Sequence, residues 1–131
     1  MVRLIAALFA LVASVAAASA QGMLPSVWQS QGGAILKVLA ADPATGDFSG
    51  VYLSTPTAPC PLVPYRVAGR FHVPWVRFQT SRTWTPDCAA TAFWSGRLVS
   101  PDTLAVRWRS TSVGPDGRVV RRYGREIFRR L

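Results

Sequence analysis

Beyond the first twenty residues, no apolar stripe recurs at helical or heptad spacing along this chain. Short runs rich in β-branched and aromatic residues are separated by turn signals every 8 to 14 residues, the pattern of a sandwich or a barrel. Ser26 to Gln31, centred on Trp28, is the first predicted strand, and Gly32-Gly33 turns the chain into Ala34–Ala41. Residues 42–46 (DPATG) turn it again into Asp47–Ser54. A proline-rich stretch, Thr55 to Pro64, precedes a strand over Tyr65–Val73, and Pro74 breaks it from another within Val76–Trp84. Thr85-Pro86-Asp87 leads into Ala90–Val99, Ser100-Pro101-Asp102 into Thr103–Thr111, and residues 114–117 (GPDG) into Val119–Leu131. Eight strands joined mostly by short hairpins predict an all-β fold, an antiparallel up-and-down β-barrel. Closure removes the exposed edges of a small open sheet, and a barrel of this size holds side chains or one small ligand.

The beginning of the chain has another character. Arg3 precedes an apolar run from Leu4 to Ala17, and Ala18-Ser19-Ala20 has the small residues of a cleavage site. Such a run is shorter than the roughly 20 residues of a membrane span. Residues 1–20 therefore read as an export signal, leaving 111 residues (131 − 20) as one domain over 21–131, secreted or periplasmic and not held in a membrane. Cys60 and Cys88 both lie in that domain, and an even cysteine count in an exported chain predicts one disulfide.

Without Arg3 the formal charge falls from +9 to +8, and Lys37 is the single lysine among fifteen basic residues. The arginines are spread from Arg66 to Arg130 with no long uninterrupted block, so composition bias is preferred to a nucleic-acid partner. Catalytic chemistry is poorly provided for. His72 is the only histidine, the cysteines lie outside CxxC or Cys–His spacing, and no metal site is expected. Asp42, Asp47, Asp87, Asp102 and Asp116 sit in or beside turns, leaving Glu126 as the one acid inside a predicted strand. No pair of carboxylates, phosphate loop or nucleophile elbow is present, so the chain is not expected to be an enzyme. Trp28, Trp75, Trp84, Trp94 and Trp108, with Tyr52, are distributed over several strands. In a closed barrel they either fill the core or line a small-molecule pocket.

Six segments carry a resemblance. Residues 28–34 (WQSQGGA) resemble the first hairpin of avidins, and residues 46–54 (GDFSGVYLS) their third-strand motif. Residues 65–71 (YRVAGRF) and 91–96 (TAFWSG) are similar to streptavidin segments, Trp108 falls where a pocket tryptophan belongs, and residues 124–131 (GREIFRRL) resemble the family's ending. Taken in order, they identify the chain with the avidin–streptavidin family. The resemblance implies a barrel of that type binding biotin, with no cofactor. The positions of Cys60 and Cys88 resemble the disulfide of dimeric avidins. Arg118 stands where tetrameric members lend a tryptophan to their neighbour, which also implies a homodimer.

Carried over by position, the ligand-binding residues are Ser30, Ala34, Tyr52, Ser54, Trp84, Ala90, Ala92, Trp94, Trp108 and Glu126. Tyr52 and Ser54 keep partners for a ureido group, and Trp94 and Trp108 keep an aromatic wall. The fifth-strand tryptophan aligns as Trp84, with Arg82 at that position and the earlier Trp75 as alternatives. Ser30 replaces an asparagine, Ala34 a serine, Ala90 and Ala92 a serine and a threonine, and Glu126 an aspartate or asparagine. These departures imply weaker biotin binding, or a pocket retuned to another small ligand. A third reading is a protease-inhibitor-like barrel acting through the Thr55–Pro64 loop.

Overall fold

The computed structural model describes residues 23–56, 63–82, 89–114 and 116–131. The proposed export signal, Cys60, Trp84, Cys88 and most of the proline-rich stretch lie outside the described residues. The strands are β1 (Ser26–Ser30), β2 (Ile35–Ala41), β3 (Asp47–Leu53), β4 (Pro64–His72), β5 (Trp75–Arg82), β6 (Ala90–Ser100), β7 (Thr103–Val113) and β8 (Val119–Arg130). Each pairs antiparallel with the next, and β8 returns to β1 through Trp28 opposite Arg130 and Ser30 opposite Phe128. The result is the closed eight-stranded antiparallel barrel expected from the turn spacing.

Alternation decides which side chains enter. In β4, Val67 and Phe71 are buried while Arg66, Ala68, Arg70 and His72 face out. In β5, Val76, Phe78 and Thr80 point inward and Trp75, Arg77 and Gln79 outward. The core so assembled includes Trp28, Leu36, Val38, Val67, Leu104 and Phe128, each at most 2% exposed. Burying one such side chain contributes about 1.5–3 kcal/mol. Two bulges, between Val38 and Ala40 and between Leu98 and Ser100, interrupt the alternation. Leu39 and Val99, the residues they insert, are exposed.

One end of the barrel is sealed by apolar side chains, with Met23, Phe48, Phe71 and Leu104 all buried there. The turn joining β2 to β3 sits at this end. Asp42 Oδ1 accepts the Ala44 amide at 2.9 Å, and Gly46 adopts φ = 80°. The Phe71 amide donates to the Gly46 carbonyl at 2.8 Å, and a Cβ on Gly46 would overlap the Phe71 carbonyl. Glycine is required there by conformation and by space. Trp75 lies at the same end, paired with His72 and Arg97, and is 61% exposed. It faces away from the interior, so the reading that makes it a pocket tryptophan is corrected.

Candidate functional site

At the opposite end the inward rows turn polar. Ser30 closes β1, Ala34 precedes β2, Tyr52 and Ser54 end the β3 segment, and Ala90 and Ala92 begin β6. Register links them across the barrel. Leu36 pairs with Tyr52 and Tyr52 with Tyr65, while Ala92 joins Thr80 on one side and Ser110 on the other. Trp94 lies opposite both Phe78 and Trp108, and Trp108 opposite Gly124. Nine of the ten site positions read from the sequence thus fall on inward rows, with Trp94, Trp108 and Glu126 well inside their strands and the other six nearer one end, the tenth, Trp84, being outside the described residues.

Trp94 is the centre of the floor. It stacks on Phe78 at 5.4 Å with 8° between planes, and meets Tyr52 at 5.3 Å, Trp108 at 5.9 Å and Phe128 at 6.0 Å. Its Nε1 donates to Thr80 Oγ1 at 3.0 Å, satisfying a buried indole N–H. Trp108 lies flat against β8 because Gly124 has no side chain; a Cβ there would come within 2.7 Å of the indole Nε1. Aromatic pairs of this kind add about 0.5–1.5 kcal/mol each beyond area burial. Rigid, mutually packed rings make a preformed apolar surface for a flat ligand.

Polar groups stand at the edge of this floor. Burial pushes the Tyr52 phenol up to about 12, with the Glu126 charge and Tyr65 adding to the effect. At neutral pH Tyr52 is therefore an O–H donor. Glu126, half-buried on β8, has its carboxyl raised by burial, and as carboxylate it accepts N–H donors. Ser30 Oγ accepts the Ala34 amide at 3.0 Å, which ties the β1–β2 turn and keeps the serine O–H as a donor. A hydroxyl donor, a phenol donor and a carboxylate acceptor around an aromatic floor suit a planar amide or urea. Its carbonyl would take the donors and its N–H the acid. Ala34, Ala90 and Ala92 present only methyl groups on the same rows.

Two cations, Arg82 and Arg122, stand towards the same end of the barrel as Ala90 and Ser110. Arg82 sits on the inward row opposite Ala90, half-buried, with Nη1 donating to the Pro64 carbonyl at 3.5 Å. Arg122 pairs with Ser110 and is exposed. Phe78, Thr80 and Phe128 complete the floor but were not among the sequence-derived residues. Their shared parity with Val76 on β5 and with Gly124 on β8 is the signal that finds them. Among the described residues, no group of three or more His, Cys, Asp or Glu side chains could hold a metal ion.

No family model matches the sequence, and no curated protein does. Solved structures do. The bradavidin2–biotin complex superimposes with a TM-score of 0.70 at 23% identity, covering 82% of this chain and 97% of that one. The rhizavidin–biotin complex gives 0.69 at 23%, covering 83% and 93%. The short afifavidin–biotin complex gives 0.69 at 22%, covering 87% and 97%. At this identity the likeness is one of fold.

Proposed function

We propose that this avidin-type barrel captures biotin at its open end, without catalysis. The observation that carries the reading is the convergence of Tyr52, Trp94, Trp108 and Glu126 inside the barrel, where a donor and an acceptor flank an aromatic floor. A ureido ring offers the matching carbonyl and N–H groups. Arg82 and Arg122 at the opening suit the carboxylate tail.

Affinity is expected below that of biotin–streptavidin, which lies near the non-covalent ceiling of about −18 to −21 kcal/mol. The methyl groups of Ala34, Ala90 and Ala92 offer no hydrogen bond. At about 0.5–1.5 kcal/mol each, three missing hydroxyls weaken binding by roughly 2–5 kcal/mol, or roughly 30- to 5,000-fold. The leader-like residues 1–20 support export, and the positions of Cys60 and Cys88 in the sequence support a disulfide and a homodimer. Biotin titrated into the protein should quench and shift the fluorescence of Trp94 and Trp108. A Trp108→Phe variant should bind more weakly with a smaller signal. An unchanged emission spectrum at millimolar biotin would remove the reading.

A second reading keeps the barrel and changes the ligand. It is favoured by the three alanines and by Glu126, whose extra methylene reaches further into the site than an aspartate. Native mass spectrometry of protein from its own host would reveal a different bound mass.

A further inference from the structure

On the reading of the interior as a biotin site, we infer that Arg82 and Arg122 make the barrel selective for the free acid over the same molecule joined through an amide to a larger one. Alternation brings both cations inward. Arg82 shares the parity of Val76, Phe78 and Thr80 on β5, and Arg122 that of Gly124, Glu126 and Phe128 on β8. The two strands stand three apart in a ring of eight, so the arginines enter from nearly opposite walls. Register fixes their distance from the aromatic floor. Phe78, Trp94, Trp108 and Gly124 form one cross-strand row. Arg122 closes the next inward row, with Thr80, Ala92 and Ser110, and Arg82 stands in the one beyond, opposite Ala90. Each step is two residues, about 7 Å along a strand. Glu126 lies on the other side of Gly124, about 13 Å along β8 from Arg122. An acceptor for N–H groups thus stands on one side of the floor and two cations on the other. That order suits a flat ring bearing N–H groups at one end and, through a short chain, a carboxylate at the other.

The neighbours of the two cations leave the end group of the ligand to them. Ala90 and Ala92 end in methyl groups, and Thr80 Oγ1 is engaged with the Trp94 indole. Among the described residues, the acid at this end of the barrel is Asp116, in the turn between β7 and β8, with Oδ2 3.5 Å from Arg118 Nε. Arg82 is half-buried, and its Nη1 reaches the Pro64 carbonyl at 3.5 Å. Burial raises the Tyr65 phenol and the Arg82 charge opposes that rise, so the guanidinium stands close to the ring. A guanidinium presents a planar fork of N–H donors, and a contact from one of them to a carbonyl leaves others for an anion. A carboxylate accepts two such bonds at once, each strengthened by opposite charge. An amide offers one neutral oxygen and turns its N–H towards the cation. Arg122 is exposed and more strongly screened by solvent and salt, so Arg82 carries the larger share of the preference.

The test is calorimetric titration of the purified protein with biotin and with biotinamide, at about 50 mM and about 300 mM salt. The two compounds share ring and chain and differ only in the end group. Hydrogen bonds to charged groups contribute about twice as much as neutral ones, so exchanging acid for amide should weaken binding about 5- to 13-fold per bond. With two bonds exchanged, the acid should be preferred by about 30- to 150-fold, and by less at the higher salt. Arg82→Gln/Arg122→Gln should bring the ratio of the two affinities to about 1, with Arg82→Gln alone giving most of the change. Arg82→Lys should keep part of the ratio, because it retains the charge without the fork. Far-ultraviolet circular dichroism and urea unfolding report the folding of each variant separately. Equal affinities for acid and amide in the parent overturn the inference and leave the biotin reading standing. So does a double variant that weakens both compounds alike, since that marks a role in shape rather than charge. Heat from neither compound overturns the biotin reading and the acid preference together.

Discussion

The hydrogen bond from Trp94 Nε1 to Thr80 Oγ1 ties the centre of the aromatic floor to β5, and a double-mutant cycle measures it. Both partners are buried, at 5% and 3% exposure, and the bond is 3.0 Å long. Thr80→Val keeps the shape but strands the indole N–H, a penalty of about 1–3 kcal/mol for an unsatisfied buried donor. Trp94→Phe removes the donor and strands the threonine hydroxyl. It also gives up part of the packing on Tyr52, Phe78, Trp108 and Phe128. Its cost should approach the lower end of the roughly 3–5 kcal/mol seen when a buried tryptophan is cut to alanine. In the double variant neither orphan remains, so it should cost little more than Trp94→Phe alone, a coupling of about 1–2 kcal/mol. Urea unfolding with an unchanged m-value reads these numbers directly. Additivity of the two substitutions to within about 0.5 kcal/mol would refute the assignment, since uncoupled sites behave that way.

Three further outcomes follow from the same geometry. Gly124→Ala should push the Trp108 indole off β8, shift the tryptophan emission and weaken biotin at least 10-fold; an unchanged spectrum and titration would contradict the contact. Tyr52, raised from 10.0 to about 12, contributes stability that is complete below pH 10 and lost as pH climbs to about 12. At 1.36 kcal/mol per unit this amounts to about 3 kcal/mol, so urea midpoints of parent and Tyr52→Phe should converge or cross over that window. Parallel midpoints would show that the phenol is not buried as described. Ser30→Ala removes the acceptor of the Ala34 amide and should cost about 1–2 kcal/mol in urea unfolding, with faster exchange of that amide; a neutral result would separate Ser30 from the turn.

Fold class and strand positions were readable because turn chemistry is local. The predicted strand ends agree with the observed ones to within two residues, as at β7, expected to end at Thr111 and running to Val113. The bulges at Leu39 and Val99 were not, because an extra residue is accommodated by the partner strand rather than signalled in its own. Parity separates the aromatics: Trp75, an alternative for the fifth-strand tryptophan, falls out of phase with Val76, Phe78 and Thr80 and faces outward. The positions read by resemblance share inward rows because alternation points Trp94, Trp108 and Glu126 to the same side as Ala92, Val106 and Phe128.

Calorimetric titration of the purified protein with biotin bears most directly on the central claim. Saturable, exothermic binding of one biotin per chain, lost or much weakened in Tyr52→Phe/Glu126→Gln, is the predicted result. A flat titration with protein shown to be folded and β-rich would leave the barrel standing and remove biotin from its interior.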